Sequence, residues 1–181
     1  MNVLAISSSP RPNSNSRTLL DEIVRGIEKR GIHTVQYHDV AKMNIAPCKA
    51  CNSCRGEKSP GVCVIKDDMA QVADAVRQAD VVFMATPLYW WNISAQLKLV
   101  IDRLYALEGK DWKGKTIYLI VTGQSDTDDV GYKVILQSFN AICEYLNITL
   151  KSFIVSAHDE THPVAQNKMA MQEAYDIGFR L

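Results

Sequence analysis

The stretch Asn2-Val3-Leu4-Ala5-Ile6-Ser7-Ser8-Ser9-Pro10-Arg11-Pro12-Asn13-Ser14-Asn15-Ser16 decides how the rest of the chain is read. Residues 2–6 form a short apolar run, the pattern of a buried strand. Leu19, Leu20, Ile23, Val24 and Ile27 then recur at helical spacing. Between the two lies a loop rich in hydroxyls and amides. A helix N-terminus offers unpaired backbone N–H groups and the positive end of the helix dipole, so such a loop can cradle an anion. The serines and asparagines add side-chain donors, and Arg11 adds a cation. Capping the helix needs one serine. The surplus points to a phosphate monoester.

Outward from this unit, strand and helix patterns alternate almost to the end. Gly31 is a natural C-cap, and Val35 and Tyr37 mark a second strand over 32–38. Residues 41–66 read as an irregular insertion that carries four cysteines, too long for an ordinary connection and therefore suspect as functional. Asp67 is expected to cap a helix carrying Met69, Val72 and Val76. Val81-Val82-Phe83-Met84-Ala85 is continuously apolar, as in a strand covered on both faces. Leu97, Val100, Ile101 and Leu104 mark a third helix, and Thr116 to Val121 a fourth strand. Val134, Ile135, Phe139, Ile142, Cys143 and Leu146 form the stripe of a fourth helix, in which Cys143 is expected in the core. A fifth strand follows over 148–155, and Pro163 is expected to open a C-terminal helix. Five βα units with short connections predict an α/β domain spanning 1–181, with an open parallel sheet and helices on both faces. Ligands in such sheets bind beyond the carboxyl ends of the strands, which selects residues 7–16, 86–94 and 122–129.

The bulk composition narrows the partners. A chain of 181 residues fits one domain with a sizeable core. Twenty basic residues balance twenty acidic ones, so neither nucleic acid nor an anionic membrane is an expected partner. No apolar run approaches a membrane span, and the first residues lack a signal-peptide pattern, so a cytoplasmic location is expected. The five cysteines are then expected as thiols, metal or cluster ligands or redox groups rather than disulfides.

Several chemistries of α/β folds are excluded by absent motifs. There is no G-x-G-x-x-G, no Walker A loop, and no Cys six residues before an Arg. Gly123-Gln124-Ser125-Asp126-Thr127 lacks the final glycine of a nucleophile elbow. The loop after the third strand reads Thr86-Pro87-Leu88-Tyr89-Trp90-Trp91-Asn92-Ile93-Ser94. Three consecutive aromatics at a strand end suit either a subunit contact or a flat wall for a planar ring. A phosphate cradle beside an aromatic wall suits FMN.

Here the chain resembles the NADPH-dependent FMN reductases, a flavodoxin-like family whose relatives include iron–sulfur flavoproteins. The resemblance rests on residues 6–16, Pro47 to Cys54, Gly61 to Met69, Thr86 to Trp90, and Leu97-Lys98 with Ile101-Asp102-Arg103. It implies a doubly wound, five-stranded parallel sheet in the order 2-1-3-4-5. It implies that Ser9, Arg11, Asn15 and Ser16 hold the FMN phosphate. Pro87, Leu88, Tyr89, Trp90 and Asn92 border the ring and ribityl chain, and Thr122 and Gly123 meet the ring. The implied activity is hydride transfer from NADPH or NADH to FMN, then electron transfer to a quinone, flavin, or nitro or azo compound. No catalytic protein base is required, because the flavin carries the chemistry. A homodimer or homotetramer is implied as well, with Lys98, Asp102 and Arg103 in structural or interface roles.

Cys48, Cys51 and Cys54 are spaced C-x2-C-x2-C, and Cys63 follows after eight residues. Three close thiolates and a fourth farther along can hold a [4Fe-4S] cluster. Iron–sulfur flavoproteins resemble this pattern with a shorter last gap. A zinc site, redox thiols, or reduced thiols holding nothing are the other readings. The expectation taken forward is that these cysteines hold no metal, with an iron–sulfur electron carrier as the alternative. His33, His38, His158 and His162 lack metal-ligand spacing, and the segment His158 to His162 is read as capping the helix after Pro163.

Overall fold

Continuous apolar runs and helical stripes sort themselves around one sheet. The computed structural model describes every residue except Ser59 and Asp159. Its strands are β1 (Asn2–Ser7), β2 (Thr34–Asp39), β3 (Val81–Pro87), β4 (Thr116–Gly123) and β5 (Thr149–Ser156). All pair in parallel, in the order β2-β1-β3-β4-β5. The helices are α1 (Asn15–Arg30), α2 (Met69–Gln78), α3 (Ala95–Leu104), α4 (Gly109–Trp112), α5 (Val130–Leu146) and α6 (Lys168–Phe179). The expected architecture is thus present. The one-turn α4 had no apolar periodicity to announce it.

Strand alternation assigns each helix a face. Val3, Ala5, Phe83 and Ile120 point to one side, where they meet Leu20, Ile23 and Ile27 of α1 and Ala174 of α6. Leu4, Ile6, Met84 and Leu119 point to the other, against Val72 of α2, Leu97 of α3 and Phe139 of α5. Every residue of β3 is buried, which explains its uninterrupted apolar run. Cys143 is buried on the second side, as expected, and desolvation pushes its thiol up to about 11.

Several boundaries differ from the sequence expectation: β4 runs on to Gly123, and β5 spans Thr149–Ser156 rather than 148–155. The second strand begins at Thr34, because the chain leaves α1 through Gly31 at φ 73° and needs two more residues to reach β1. Pro163 precedes a single 3₁₀ turn, Val164–Gln166, and α6 starts afterwards, capped by Asn167 accepting from the Ala170 N–H. The residue before α2 is Asp68, whose side chain makes no capping bond. Asp67 does accept from the Met69 N–H at 3.2 Å, but its main partner is Arg103.

Candidate functional site

The carboxyl ends of β1, β3 and β4 stand side by side, because Ser7 pairs with Ala85 and Pro87 with Thr122. Strand order reverses between β1 and β3, and a crevice opens there. The cleft measures about 510 Å³. Ser9, Arg11, Ser14 and Asn15 line one end, and Pro87, Leu88, Tyr89, Thr122, Gly123 and Gln124 line the rest. Ala157, His158 and Glu160 close it from the loop after β5.

The phosphate-type loop is held from behind. Ser14 caps α1 by accepting from the Arg17 N–H at 3.3 Å. The Arg11 N–H donates to Ser9 Oγ at 3.3 Å. Arg17 reaches back to donate to the Ser9 carbonyl at 3.4 Å and pairs with Asp39 at 2.9 Å, tying the loop to the end of β2. Asn15 Oδ1 accepts from the Val164 N–H at 2.8 Å and so joins the loop to the turn before α6. Ser16 is fully buried and lies beside Ser14, outside the cleft lining.

A chain of hydroxyls then links the first loop to the second. Ser8 Oγ donates to the Ala85 carbonyl at 2.8 Å, and Ser94 Oγ lies 2.9 Å from Ser8 Oγ. Ser94 also caps α3 by accepting from the Leu97 N–H, and its own N–H donates to Thr86 Oγ1 at 3.0 Å. Past this anchor, Tyr89 and Asn92 exchange backbone hydrogen bonds of 2.8 and 3.0 Å around a tight turn. The turn forces Trp90 to φ 47° and Trp91 to φ 61°. A bulky residue held in the left-handed region costs about 1–3 kcal/mol, so this turn stores strain. Trp90 is 88% exposed and does not line the cleft. Asn92 also lies outside the lining, its Oδ1 accepting from the Ile93 N–H.

Gly123 shows how closely backbone approaches the cleft. A Cβ there would stand 2.8 Å from the Tyr132 hydroxyl and 3.0 Å from Leu88 Cβ. The Tyr132 hydroxyl donates to the Ser125 carbonyl, and desolvation pushes its pKa up to about 12, so it remains a protonated donor. Ala157, His158 and Glu160 lie outside the three loops that the switch-point rule selects from the sequence, residues 7–16, 86–94 and 122–129. A parallel sheet delivers the end of β5 to the same side, and that was the available signal. His158 and His162 form an antiparallel bridge, and His158 Nδ1 accepts from the Glu160 and Thr161 N–H groups at 3.4 Å. The segment therefore shapes the cleft wall rather than capping a helix. Asp159, within it, lies outside the described residues.

The insertion forms a second concave feature. Cys48, Cys51, Cys54 and Cys63 all line one small pocket of about 260 Å³, with Ala50, Val64, Ile65 and Tyr105 among its walls. Ala50 and Asn52 adopt φ 52° and 55°, so the chain curls tightly between the first three cysteines. Among the described residues, no three His, Cys, Asp or Glu side chains are close enough to hold one metal ion. The Cys51 thiol is held below its ordinary pKa by the hydrogen bond from Ser53.

Comparison with known proteins follows the same lines. A family model described as NADPH-dependent FMN reductase matches residues 1–156, and the chain belongs to that family. An iron–sulfur flavoprotein of Methanocaldococcus jannaschii is 37% identical over 103 residues, 57% of this chain and 51% of that protein. The chain thus spans about half the length of that relative. A putative NAD(P)H-dependent FMN-containing oxidoreductase of Bacillus subtilis is 23% identical over 96% of this chain and 94% of its own length. Among solved structures, an FMN-dependent NADH-azoreductase of Bacillus anthracis in complex with FMN superposes with a TM-score of 0.77. The two are 14% identical, and the match covers 99% of each chain, which shows a shared flavodoxin-like fold.

Proposed function

We propose that this chain is an FMN-containing oxidoreductase. It takes hydride from NADPH or NADH and passes electrons to a small acceptor such as a quinone, a flavin, or a nitro or azo compound. The cleft at the strand switch carries this reading: donors and a cation converge at one end, and apolar and backbone surface borders the other. The residues suit FMN. Ser9, Ser14, Arg11 and the first turn of α1 would take its phosphate. Pro87, Leu88, Tyr89, Thr122 and Gly123 would border the ring and ribityl chain, with Asn15 holding the loop in place through Val164. Bound there, FMN supplies hydride acceptance and electron release, and the protein supplies position and exclusion of water. Ser16, Trp90 and Asn92 act from outside the lining: Ser16 supports Ser14, and Asn92 closes the turn beneath Trp90. The exposed Trp90 and Trp91 suit contact with a second copy, which supports a homodimer or homotetramer. Among the described residues, no helix is long and apolar enough to cross a membrane. We infer a cytoplasmic protein that binds neither nucleic acid nor membrane. The test is an anaerobic FMN titration followed by NADPH. Stoichiometric binding and bleaching of the flavin bands support the reading, and no FMN uptake removes it.

The cysteine pocket supports a second reading, an iron–sulfur flavoprotein that carries electrons. Four cysteines line one small, largely apolar cavity, and among the described residues no three of them group as a single-ion site. A four-iron cluster presents its irons at the corners of a cube, so its ligands sit farther apart than those of zinc. Iron and acid-labile sulfide analysis of anaerobically purified protein tests it.

A further inference from the structure

The insertion is fastened to α3 by a buried ion pair. Arg103 and Asp67 meet at 2.8 and 3.0 Å through both nitrogens and both oxygens, with side chains 1% and 4% exposed. Burying two charges is costly, and replacing such a pair by apolar residues is often neutral or stabilising. Its position explains why it stands there. The same guanidinium donates to the Ala46 carbonyl at 2.8 Å and toward the Ile65 carbonyl at 3.4 Å. Asp67 in turn accepts from the Ala46 N–H at 2.9 Å. Ala46 lies two residues before Cys48, and Ile65 two residues after Cys63. The pair therefore grips the two chain arms at the points where they enter and leave the cysteine pocket.

Two further features mark the side toward the pocket. Arg103 Nε is buried without a hydrogen-bond partner among the described residues, and the reach of the guanidinium to the Ile65 carbonyl holds the arm that carries Cys63. Just beyond α3, Tyr105 lines the pocket and accepts through its carbonyl from Arg55 at 2.6 Å. Arg55 follows Cys54 directly, and its guanidinium lies 4.4 Å above the Tyr105 ring. By contrast Lys98 and Asp102, on the same helix, pair at the surface with 58% and 45% exposure and touch none of this.

We propose that Arg103, locked to Asp67, is the positioning residue of the four-cysteine site, holding the Cys48 and Cys63 arms together and presenting the Cys63 sulfur to an iron–sulfur cluster. The proposal rests on the iron–sulfur reading. A planar fork of five donors is needed to reach Asp67 and both carbonyls at once, which lysine cannot do. The wide gap of eight residues before Cys63 then becomes workable, because the fourth ligand is fixed by tertiary contact rather than by a short tether.

The test compares wild-type protein, Arg103→Lys, the double variant Asp67→Leu with Arg103→Met, and Lys98→Met as a surface control. Each is loaded with ferrous iron and sulfide under anaerobic, reducing conditions. Iron and sulfide content, the electron paramagnetic resonance spectrum of the reduced cluster, and iron release to a chelator are measured. FMN affinity and Tm report folding independently. The double variant keeps the fold by replacing the pair with apolar volume. We expect it and Arg103→Lys to retain FMN binding, to show an altered resonance spectrum, and to release iron about 10–100-fold faster, the range typical for losing a group that orients a ligand. Lys98→Met should match wild type. A loaded wild type with equally stable, spectrally identical clusters in both Arg103 variants overturns the proposal and leaves the iron–sulfur reading intact. A wild type that takes up no cluster overturns that reading and this proposal with it.

Discussion

Replacing Gly178 by alanine sets two effects against each other, and only tertiary structure decides the sign. Within a helix, Gly→Ala gains at most about 1 kcal/mol. Gly178 sits where α6 crosses α1, and a Cβ there would collide with the Ile23 carbonyl oxygen and lie 3.0 Å from the Ile27 N. Gly26 is the reciprocal position: its Cβ would collide with the Tyr175 carbonyl oxygen and lie 2.9 Å from the Phe179 N. All of these are main-chain atoms and cannot rotate aside. The helices must separate, loosening the contacts of the fully buried Ile23, Ile27 and Ala174. Overpacking costs about 1–3 kcal/mol, and a backbone obstacle belongs at the upper end. Subtracting the propensity gain leaves a net loss of about 2 kcal/mol. At about 2–4 °C per kcal/mol for a chain of this size, Tm should fall by about 4–8 °C. Thermal and urea unfolding of Gly178→Ala measure this, with Gly109→Ala as control, since no atom lies within 4 Å of a Cβ there. The double variant Gly26→Ala with Gly178→Ala should lose less than the sum of the singles, because the first substitution already parts the helices. A Gly178→Ala protein as stable as wild type, or more so, would refute the close crossing.

Further outcomes are expected. Arg11→Ala should weaken FMN binding by about 10–150-fold, the loss of about 1.5–3 kcal/mol for a charge-assisted phosphate contact; unchanged affinity on titration removes Arg11 from the site. Burial resists ionisation of Asp39, but the bonds and charges of Arg17 and Lys42 outweigh it and hold the carboxyl below its ordinary value. A carboxyl lowered in the fold contributes stability at neutral pH that is lost as pH falls through the folded pKa, on the acid side of about 4. Asp39→Asn should therefore be less stable at pH 7 and lose less on acidification, and parallel acid-unfolding curves for the two proteins would contradict this. In reduced, metal-free protein at pH 8, a thiol reagent should modify Cys48, Cys51, Cys54 and Cys63 quickly, while the buried Cys143, its pKa near 11, reacts only after unfolding. Rapid reaction of all five in the folded protein would show that α5 does not bury Cys143 against the sheet.

The architecture could be read from the chain because it rests on local patterns. A strand buried on both faces must be apolar throughout, and β3 is. A helix against a sheet must carry a stripe, and α1 and α5 do. The hydroxyl-rich loop at the cleft announced itself the same way, since Ser9, Arg11 and Ser14 all follow one strand directly. Which hydroxyls face the cleft was not local information. Ser16 is turned inward by the helix that Ser14 caps, and Trp90 is turned out by the hydrogen bonds between Tyr89 and Asn92. His158 and Glu160 reach the cleft only because β5 runs parallel to β4 and ends on the same side.

The chain's own order of residues determined five βα units, the hydroxyl-rich turn before α1 and the cysteine spacing, because each is set by neighbours within a few residues. Only tertiary structure decided that Asp67 forgoes a simple cap for Arg103, 36 positions away, and that Gly26 and Gly178 meet. Such contacts depend on where whole elements pack. Burial in a low-dielectric interior, which makes an ion pair or a missing methyl matter, is a property of the assembled fold.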